Sequence, residues 1–367
     1  MVLKAVHVSD VPNLDQVHVN TTLSASSARF SIDDKGQAFS FPEFVVMGHR
    51  GFGMNMLQSP DKRMKSIKEN SILSFNAAAD FPIDFIEFDV QVTRDGCPVI
   101  FHDIFMFTQE QGEIVQKRVT ELSLDEFLSY GPQKDTGNIE KPMLRKTKDG
   151  RMFEWKVEKD DPLCTLQDAF DKVKSSLGFN IELKFDDNIV YREEDLVSTL
   201  AIISKVVHEH AKNRPIIFSS FHPDAAQLIR KIQRSYPVLF ITNGGSELYN
   251  DARRNSLEEA VKVCLDGGLQ GIVSEVKAIL RNPSSVTRIK ESDLSLISYG
   301  QLNNVGEVVW LQRLMGVEGV IVDLVEEISE AVADIGDRNE GEEKKKVKFS
   351  KDELSFLLKL IPKLLQQ

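Results

Sequence analysis

The chain has 367 residues, of which 41% are hydrophobic and 28% charged, a composition typical of a folded globular protein with a large core. Its formal net charge of −11 argues against a general affinity for nucleic acid, and no basic aromatic patch indicates such binding. There is no apolar stretch of the roughly 18 residues that a membrane span needs. The three cysteines are widely separated and form no Cys-x-x-Cys motif, which favours reduced thiols.

Residues 1–40 are predicted to be an irregular N-terminal segment. They lack the continuous apolar core of a secretory signal peptide, so secretion is not expected. Their Ser/Thr-rich stretches and few acidic residues resemble a plastid transit peptide. The sequence therefore leaves a cytoplasmic and a plastid location open, and it does not indicate an oligomeric state.

Short β-branched runs alternate with helical patterns over residues 41–335. Eight such runs predict the α/β class and a (β/α)8 TIM barrel. The alternative is a doubly wound sheet, which is disfavoured because no Gly-x-Gly-x-x-Gly fingerprint follows the first strand. The predicted strands are Val45–Gly48, Asp84–Asp89, Phe179–Lys184, Pro215–Ser219, Val238–Ile241, Gly271–Ser274, Leu294–Tyr299 and Gly319–Asp323.

Three further segments depart from this alternation. Residues 104–163 are polar, without a clear alternation of strands and helices, and are predicted to be a small insertion after the second strand that could cover the barrel mouth. Residues 337–348 are highly charged and predict a linker. Residues 349–367 predict an amphipathic helix, which we expect to dock on its own barrel rather than on a partner or membrane.

The first predicted strand ends in Gly48-His49-Arg50-Gly51. Glycines on both sides allow a sharp turn and a close approach of the backbone to a ligand. His49 can exchange a proton near neutral pH, and Arg50 offers a fork of donors suited to phosphate oxygens. So short a motif is usually an incidental surface turn, and its interpretation depends on what lies beside it.

Carboxylates recur on the second and third predicted strands. Glu87 and Asp89 share one face of their strand, and Glu182 and Lys184 share one face of the next, with apolar residues opposite in both cases. The apolar face suits the surrounding helices, so the carboxylates should point into the barrel and need a cation between them. The alternative, a structural salt bridge, is less favoured because the pattern recurs. An all-carboxylate set favours Mg²⁺ or Ca²⁺, and Lys184 would supply a further positive charge to a phosphate.

A second histidine is predicted to reach the same mouth. Asp95-Gly96 indicates a turn, and residues 99–101 indicate a short strand returning towards the site, which would place His102 opposite His49. Such a pair is suited to acid–base catalysis of phosphodiester cleavage. His222, after the fourth strand, either lines the pocket or has a structural role in its loop.

Together these motifs resemble the glycerophosphodiester phosphodiesterase family, most closely its plant members, from about Val45 to Ala333. The resemblance implies a TIM barrel that hydrolyses glycerophosphodiesters, such as glycerophosphocholine and glycerophosphoethanolamine, to sn-glycerol 3-phosphate and an alcohol. It is carried by the order and spacing of Gly48-His49-Arg50-Gly51, Glu69-Asn70-Ser71, Glu87-Phe88-Asp89, His102-Asp103 and Glu182-Leu183-Lys184.

The resemblance also implies roles for individual residues. The metal ligands fall on Glu87, Asp89 and Glu182, the catalytic histidines on His49 and His102, and the substrate-binding residues on Arg50, Lys184, Phe221 and Tyr299. Tyr299 stands where many members have tryptophan. Two alternatives remain: a lysophospholipase D acting on lysophospholipids, which would need an apolar groove, and a non-catalytic phosphoester-binding module, which would be expected to lack one of these residues.

Overall fold

The computed structural model describes residues 39, 41, 43–133 and 141–337. The predicted irregular start (apart from Phe39), the linker beyond Asp337 and the C-terminal helix lie outside the described residues. The described strands, in chain order, are β1 (Val45–Gly48), β2 (Phe85–Val92), β3 (Pro98–Ile100), β4 (Phe105–Glu110), β5 (Glu113–Arg118), β6 (Leu144–Lys146), β7 (Met152–Glu154), β8 (Gly178–Leu183), β9 (Ile216–Ser220), β10 (Val238–Thr242), β11 (Gly271–Glu275), β12 (Ser295–Tyr299) and β13 (Gly319–Val322).

Strands β1, β2 and β8–β13 form a closed parallel barrel, which confirms the predicted (β/α)8 architecture. The ring closes because β1 pairs in parallel with both β2 and β13. The helices around it are α1 (Ile72–Ala78), α3 (Leu166–Lys172), α4 (Glu193–His210), α5 (Pro223–Ile232), α6 (Leu257–Gly267), α7 (Val276–Arg281), α8 (Ser284–Glu291), α9 (Gly306–Met315) and α10 (Val325–Asp337); α2 (Leu124–Leu128) belongs to the inserted segment.

Two apolar layers hold the barrel together. On β2, Ile86, Phe88 and Val90 point outwards into a cluster shared with the surrounding helices, as their alternation predicts. Phe85, on the opposite face, packs with Met47 and other residues of a second cluster inside the barrel. This inner cluster fills the barrel below the carboxyl ends of the strands, which leaves the polar side chains at the mouth.

The segment after β2 has more structure than its sequence indicated. Strand β3 returns antiparallel to β2 after the turn at Gly96, as predicted. Strands β4–β7 then form an antiparallel sheet in the order β5-β4-β6-β7, with an apolar cluster of its own that includes Phe101, Phe127 and Trp155. The sequence did not indicate these strands, because they are short and their apolar residues are scattered, so that no run marks them.

The inserted segment contacts a loop at the carboxyl ends of the barrel strands. In the turn between β6 and β7, Lys148 Nζ lies 2.8 Å from Glu247 Oε1, in the loop after β10. Among the described residues, no helix combines the length and apolar character that crossing a bilayer requires.

Candidate active site

Three buried carboxylates converge at the mouth of the barrel. Asp89 on β2 lies opposite Glu182 on β8 in the parallel register, and Glu87 lies two residues earlier on the same face of β2. One carboxylate oxygen from each side chain lies within 4.8 Å of those of the other two. All three side chains point into the barrel, as the alternation predicts. Buried carboxylates this close together repel one another, so they need positive charge nearby.

The surroundings shift the pKa values of these three carboxylates in different directions. Burial raises the pKa of Glu87, and the negative charge of Asp89 raises it further. Burial also raises the pKa of Glu182, in spite of the nearby Lys184. Burial opposes ionisation of Asp89 as well, but neighbouring basic side chains outweigh it and hold its pKa below the usual range. The upward pKa shifts of Glu87 and Glu182 reflect burial and crowded negative charge, which a bound cation would relieve.

Asn70 adds a neutral oxygen beside the cluster. Its Nδ2 donates to Asp89 Oδ2 at 2.9 Å. Its Oδ1 is buried and has no hydrogen-bond partner among the described residues. The backbone of Asn70 has a φ of 54°, an unusual conformation that directs the amide here. An unpaired buried acceptor beside three carboxylates fits a cation site, since these are the oxygen ligands of a hard ion.

Two basic side chains lie against the cluster. Lys184 Nζ is 2.7 Å from Glu182 Oε1 and 3.4 Å from Asp89 Oδ1. The Arg50 guanidinium bonds Glu69 Oε1 through Nη1 at 2.8 Å, and its Nε lies 3.6 Å from Asp89 Oδ2 without a hydrogen-bond partner among the described residues. Arg50 also donates its backbone N–H to Glu87 Oε2 at 3.0 Å.

The turn after β1 depends on its glycine. Arg50 has a φ of 51° and Gly51 a φ of 92°. A Cβ at Gly51 would lie 2.4 Å from Ser74 Oγ and 2.7 Å from Phe75 Cδ1. Only glycine fits this conformation and space, and the resulting turn directs the Arg50 backbone and side chain to the carboxylates.

Each of the two histidines is held by an aspartate. His49 Nδ1 lies 2.7 Å from Asp323 Oδ1, and its Nε2 lies 3.9 Å from Glu87 Oε2. His102 Nδ1 lies 2.7 Å from Asp103 Oδ1. Because Nδ1 is engaged in both rings, Nε2 is the atom left to exchange a proton with a ligand at the mouth.

The two imidazoles differ in proton affinity. Burial lowers the pKa of His49, but the carboxylates of Asp323 and Glu87 together outweigh it and the net shift is upwards. Burial lowers the pKa of His102 well below its ordinary value, and the positive charges of Arg50 and Lys184 lower it further. A pair of groups whose pKa values are pushed apart is what acid–base catalysis by two residues requires.

Two polar residues at the site were not singled out from the sequence. Asp323, directly after β13, binds His49 and also accepts from Met54 N at 3.1 Å. A polar residue at the carboxyl end of a barrel strand is a usable signal for it. Arg145, on β6, donates from Nη2 to Asp103 Oδ1 at 2.9 Å. It lies in the segment whose sheet was missed, and no sequence pattern marks it.

Aromatic side chains line the mouth next to Lys184. The rings of Phe221 and Tyr299 meet edge to face with centroids 6.0 Å apart, and Lys184 Nζ lies 5.9 Å from the Phe221 centroid. Tyr299 donates its hydroxyl to Asn243 Oδ1. His222 does not join them as a site residue: its Nδ1 accepts from Ala225 N at 3.3 Å and caps α5, the structural alternative left open by the sequence.

A carboxylate cluster at the carboxyl ends of the strands of a (β/α)8 barrel places the protein among the barrel enzymes. Residues 49–327 match the model of the "Glycerophosphoryl diester phosphodiesterase family". The chain belongs to this family of phosphodiesterases, as a plant-type member.

The chain is similar along its whole length to plant relatives. It is 68% identical to glycerophosphodiester phosphodiesterase GDPD3 of Arabidopsis thaliana, over 95% of this chain and 98% of the relative. It is 60% identical to the chloroplastic GDPD1 of the same plant, over 100% of both chains. Among solved structures, an Oleispira antarctica phosphodiesterase in complex with the product sn-glycerol-3-phosphate aligns with a TM-score of 0.56 and 19% identity, covering 79% of this chain and 96% of that one, and supports the fold.

Proposed function

We propose that the protein hydrolyses glycerophosphodiesters, such as glycerophosphocholine and glycerophosphoethanolamine, to sn-glycerol 3-phosphate and an alcohol. The observation that carries this proposal is the joint placement of a carboxylate cluster, two basic side chains and two aspartate-held histidines at one barrel mouth. Family membership supports the reaction class. The product in the related Oleispira structure supports the glycerol phosphate half of the substrate.

A divalent cation is part of the proposal. Glu87, Asp89 and Glu182 would hold it, with the amide oxygen of Asn70 beside them. The all-oxygen donor set favours Mg²⁺ or Ca²⁺. When bound, the ion supplies positive charge that stabilises the additional negative charge of a phosphoryl group in its transition state.

Arg50 and Lys184 would bind the phosphate of the substrate. Both are cationic and lie against the carboxylates, so an anionic group entering the mouth meets two positive side chains. Their positions are fixed before the reaction by Glu69, Glu182 and Asp89. Preorganised charge of this kind stabilises the transition state without further reorganisation.

His49 and His102 would exchange protons with the reacting oxygens. One would take the proton of the nucleophile, and the other would give a proton to the oxygen of the leaving alcohol. The nucleophile is either the neighbouring glycerol hydroxyl, through a cyclic phosphate, or water. Phosphorus NMR of a single turnover distinguishes these routes, because only the first produces a cyclic glycerol phosphate.

Phe221 and Tyr299 would contact the alcohol group of the substrate. Their edge-to-face pair lies beside Lys184, so an alcohol leaving the phosphate on that side would pass against aromatic rings. A quaternary ammonium group such as that of choline is attracted to such rings.

The first test is the release of glycerol 3-phosphate from glycerophosphocholine by the purified protein, with Mg²⁺, with Ca²⁺ and with chelator. We expect release with at least one ion and its loss with chelator. The isosteric variants Glu87→Gln and Glu182→Gln test the carboxylates themselves, since each keeps the shape of the cluster and removes one negative charge. We expect both to lose turnover.

Three other results would change the assignment. Release that persists in chelator would contradict the cation. Activity confined to lysophosphatidylcholine would favour the lysophospholipase D alternative. A folded protein inactive on both substrates would contradict hydrolysis and favour a phosphoester-binding module.

For location we propose the plastid or the cytoplasm. The 60% identity to a chloroplastic relative and the Ser/Thr-rich first 40 residues support the plastid. A fluorescent protein fused after Gln367 and imaged in leaf cells tests this. Signal in neither compartment would contradict the proposal.

A further inference from the structure

The inserted sheet contributes one arginine that contacts residues next to the site. Arg145 lies on β6, and its side chain is 11% exposed. Its Nη1 donates to Glu69 Oε2 and to the backbone oxygen of Asn55, both at 3.0 Å. Its guanidinium carbon lies 4.4 Å from the centre of the Trp155 ring. These contacts hold the planar guanidinium in one orientation, a use for which lysine is a poor substitute.

Each of the two carboxylates that Arg145 binds also bonds a proposed site residue. Arg145 Nη2 donates at 2.9 Å to Asp103 Oδ1, the same oxygen that lies 2.7 Å from His102 Nδ1. Glu69 accepts from Arg145 with one oxygen and from Arg50 Nη1, at 2.8 Å, with the other. One guanidinium therefore fixes the partner of the histidine and the partner of the phosphate-binding arginine.

The contact with Asp103 is the more consequential of the two. The side chain of Asp103 is 21% exposed, so without Arg145 it could turn towards water and release the imidazole. A charged hydrogen bond to a planar donor holds a carboxylate in one geometry. A catalytic group that is misplaced by about 1 Å can lose about a hundredfold in rate.

We infer that Arg145 is a positioning residue, which orients His102 through Asp103 and Arg50 through Glu69 without touching the substrate. The inserted sheet is then a working part of the active site. This inference rests on the proposed function, because it assigns Arg145 a part in the same reaction.

A second arginine of the inserted sheet provides a matched control. Arg118, at the end of β5, pairs with Asp186 in the loop after β8 and lies over the Phe105 ring at 4.6 Å. It also ties the insertion to the barrel. Asp186, however, otherwise accepts from Asn188 and has no contact with His102 or Arg50 among the described residues.

The test compares wild type, Arg145→Ala, Arg145→Lys and Arg118→Ala in the release of glycerol 3-phosphate, with thermal unfolding of each. We expect Arg145→Ala to lose about a hundredfold in kcat. Arg118→Ala should lose less than about threefold, because its contact does not reach a proposed catalytic group. Guanidinium ion added at millimolar concentration should restore Arg145→Ala at least tenfold and leave the others unchanged, which a merely structural role would not produce.

Arg145→Lys keeps the test decisive if the alanine variant does not fold. A lysine retains the charge but cannot bridge Glu69 and Asp103, so we expect at least a tenfold loss of kcat at an unchanged unfolding temperature. Wild-type activity in this variant, equal losses in Arg145→Ala and Arg118→Ala, or no rescue by guanidinium would overturn the inference alone. An inactive wild type would overturn the proposed function and this inference with it.

Discussion

At the scale of single residues, two contacts at the site join distant parts of the chain. His49 meets Asp323, 274 residues later, and Glu87 meets the backbone of Arg50. His102 instead has its carboxylate partner next to it in sequence, and Lys184 bonds Glu182, two residues earlier in the chain. The orientation of the His49 imidazole therefore depends on the barrel being closed, because β1 and β13 must pair to bring His49 and Asp323 together.

We predict that His49→Ala and His102→Ala each reduce kcat by about a thousandfold, because each removes a proposed proton carrier. Both side chains lie at the mouth, 22% and 32% exposed, so the unfolding temperature should change little. The control is His208→Ala, an exposed histidine on α4, which should retain full activity. Near-complete activity in both site variants would refute the roles proposed for these histidines.

A second prediction concerns Gly51. Gly51→Ala should lower the free energy of unfolding by about 2 kcal/mol or more, because it combines a φ of 92° with a Cβ 2.4 Å from Ser74 Oγ. Gly112→Ala is the matched control: its φ is 87°, but nothing lies within 4 Å of its Cβ. Chemical denaturation measures both, and an equal loss in the two variants would show that the close contact at Gly51 is unimportant.

At the scale of elements, the inserted sheet is docked on the barrel through polar and aromatic contacts. Trp155 donates from Nε1 to Asn55 Oδ1 at 3.0 Å, and its ring lies near two cations, Arg145 and Lys68. Lys68 Nζ is 4.1 Å from the ring centre, and its nearest carboxylate oxygen, on Asp160, is 3.9 Å away. Burial lowers the pKa of Lys68 to about 8. The charged form of this buried lysine therefore destabilises the folded protein.

Lys68→Met should therefore stabilise the protein at pH 7, by up to roughly 3 kcal/mol if the full pKa difference applies. The folded pKa lies below the unfolded one, so the charged lysine costs stability below pH 8 and the cost fades between pH 8 and 10.5. The gain in unfolding temperature should shrink over that range. Lys156→Met, at a side chain 76% exposed, should show no such pH dependence. A constant difference across the range would contradict a charged, buried Lys68.

At the scale of the whole molecule, a chain of net charge −11 places two basic side chains, Arg50 and Lys184, against the carboxylates at the mouth of the barrel. The inner apolar cluster closes the barrel below this site, and the inserted sheet contacts Glu69 and Asp103 through Arg145. Burial of three carboxylates at the mouth is unfavourable, so a cation that binds to them should stabilise the fold.

Mg²⁺ or Ca²⁺ at about a hundred times its dissociation constant should stabilise the protein by about 2.7 kcal/mol, which corresponds to several degrees in unfolding temperature. The double variant Glu87→Gln/Glu182→Gln should lose this shift, because it no longer carries the charges that the ion neutralises. Differential scanning calorimetry with and without each ion measures it. A wild type and variant that respond equally would place the ion elsewhere.

The sequence by itself determined the barrel and the composition of its mouth. Alternation along β2 and β8 predicted which side chains face inwards, because a strand has a period of two and the helix layer needs an apolar face. The eight predicted strands agree with those of the structure to within a few residues at each end. The inward direction of Glu87, Asp89 and Glu182 thus follows from local rules alone.

Only the tertiary structure decided what fixes these side chains in place. Closure of the barrel brings Asp323 to His49, and docking of the inserted sheet brings Arg145 to Asp103. Neither contact leaves a periodic pattern in the chain. The sheet β4–β7 was missed for the same reason, since its stability comes from a cluster of scattered apolar residues. Local periodicity reports which face is buried, whereas contacts between distant segments depend on how whole elements pack.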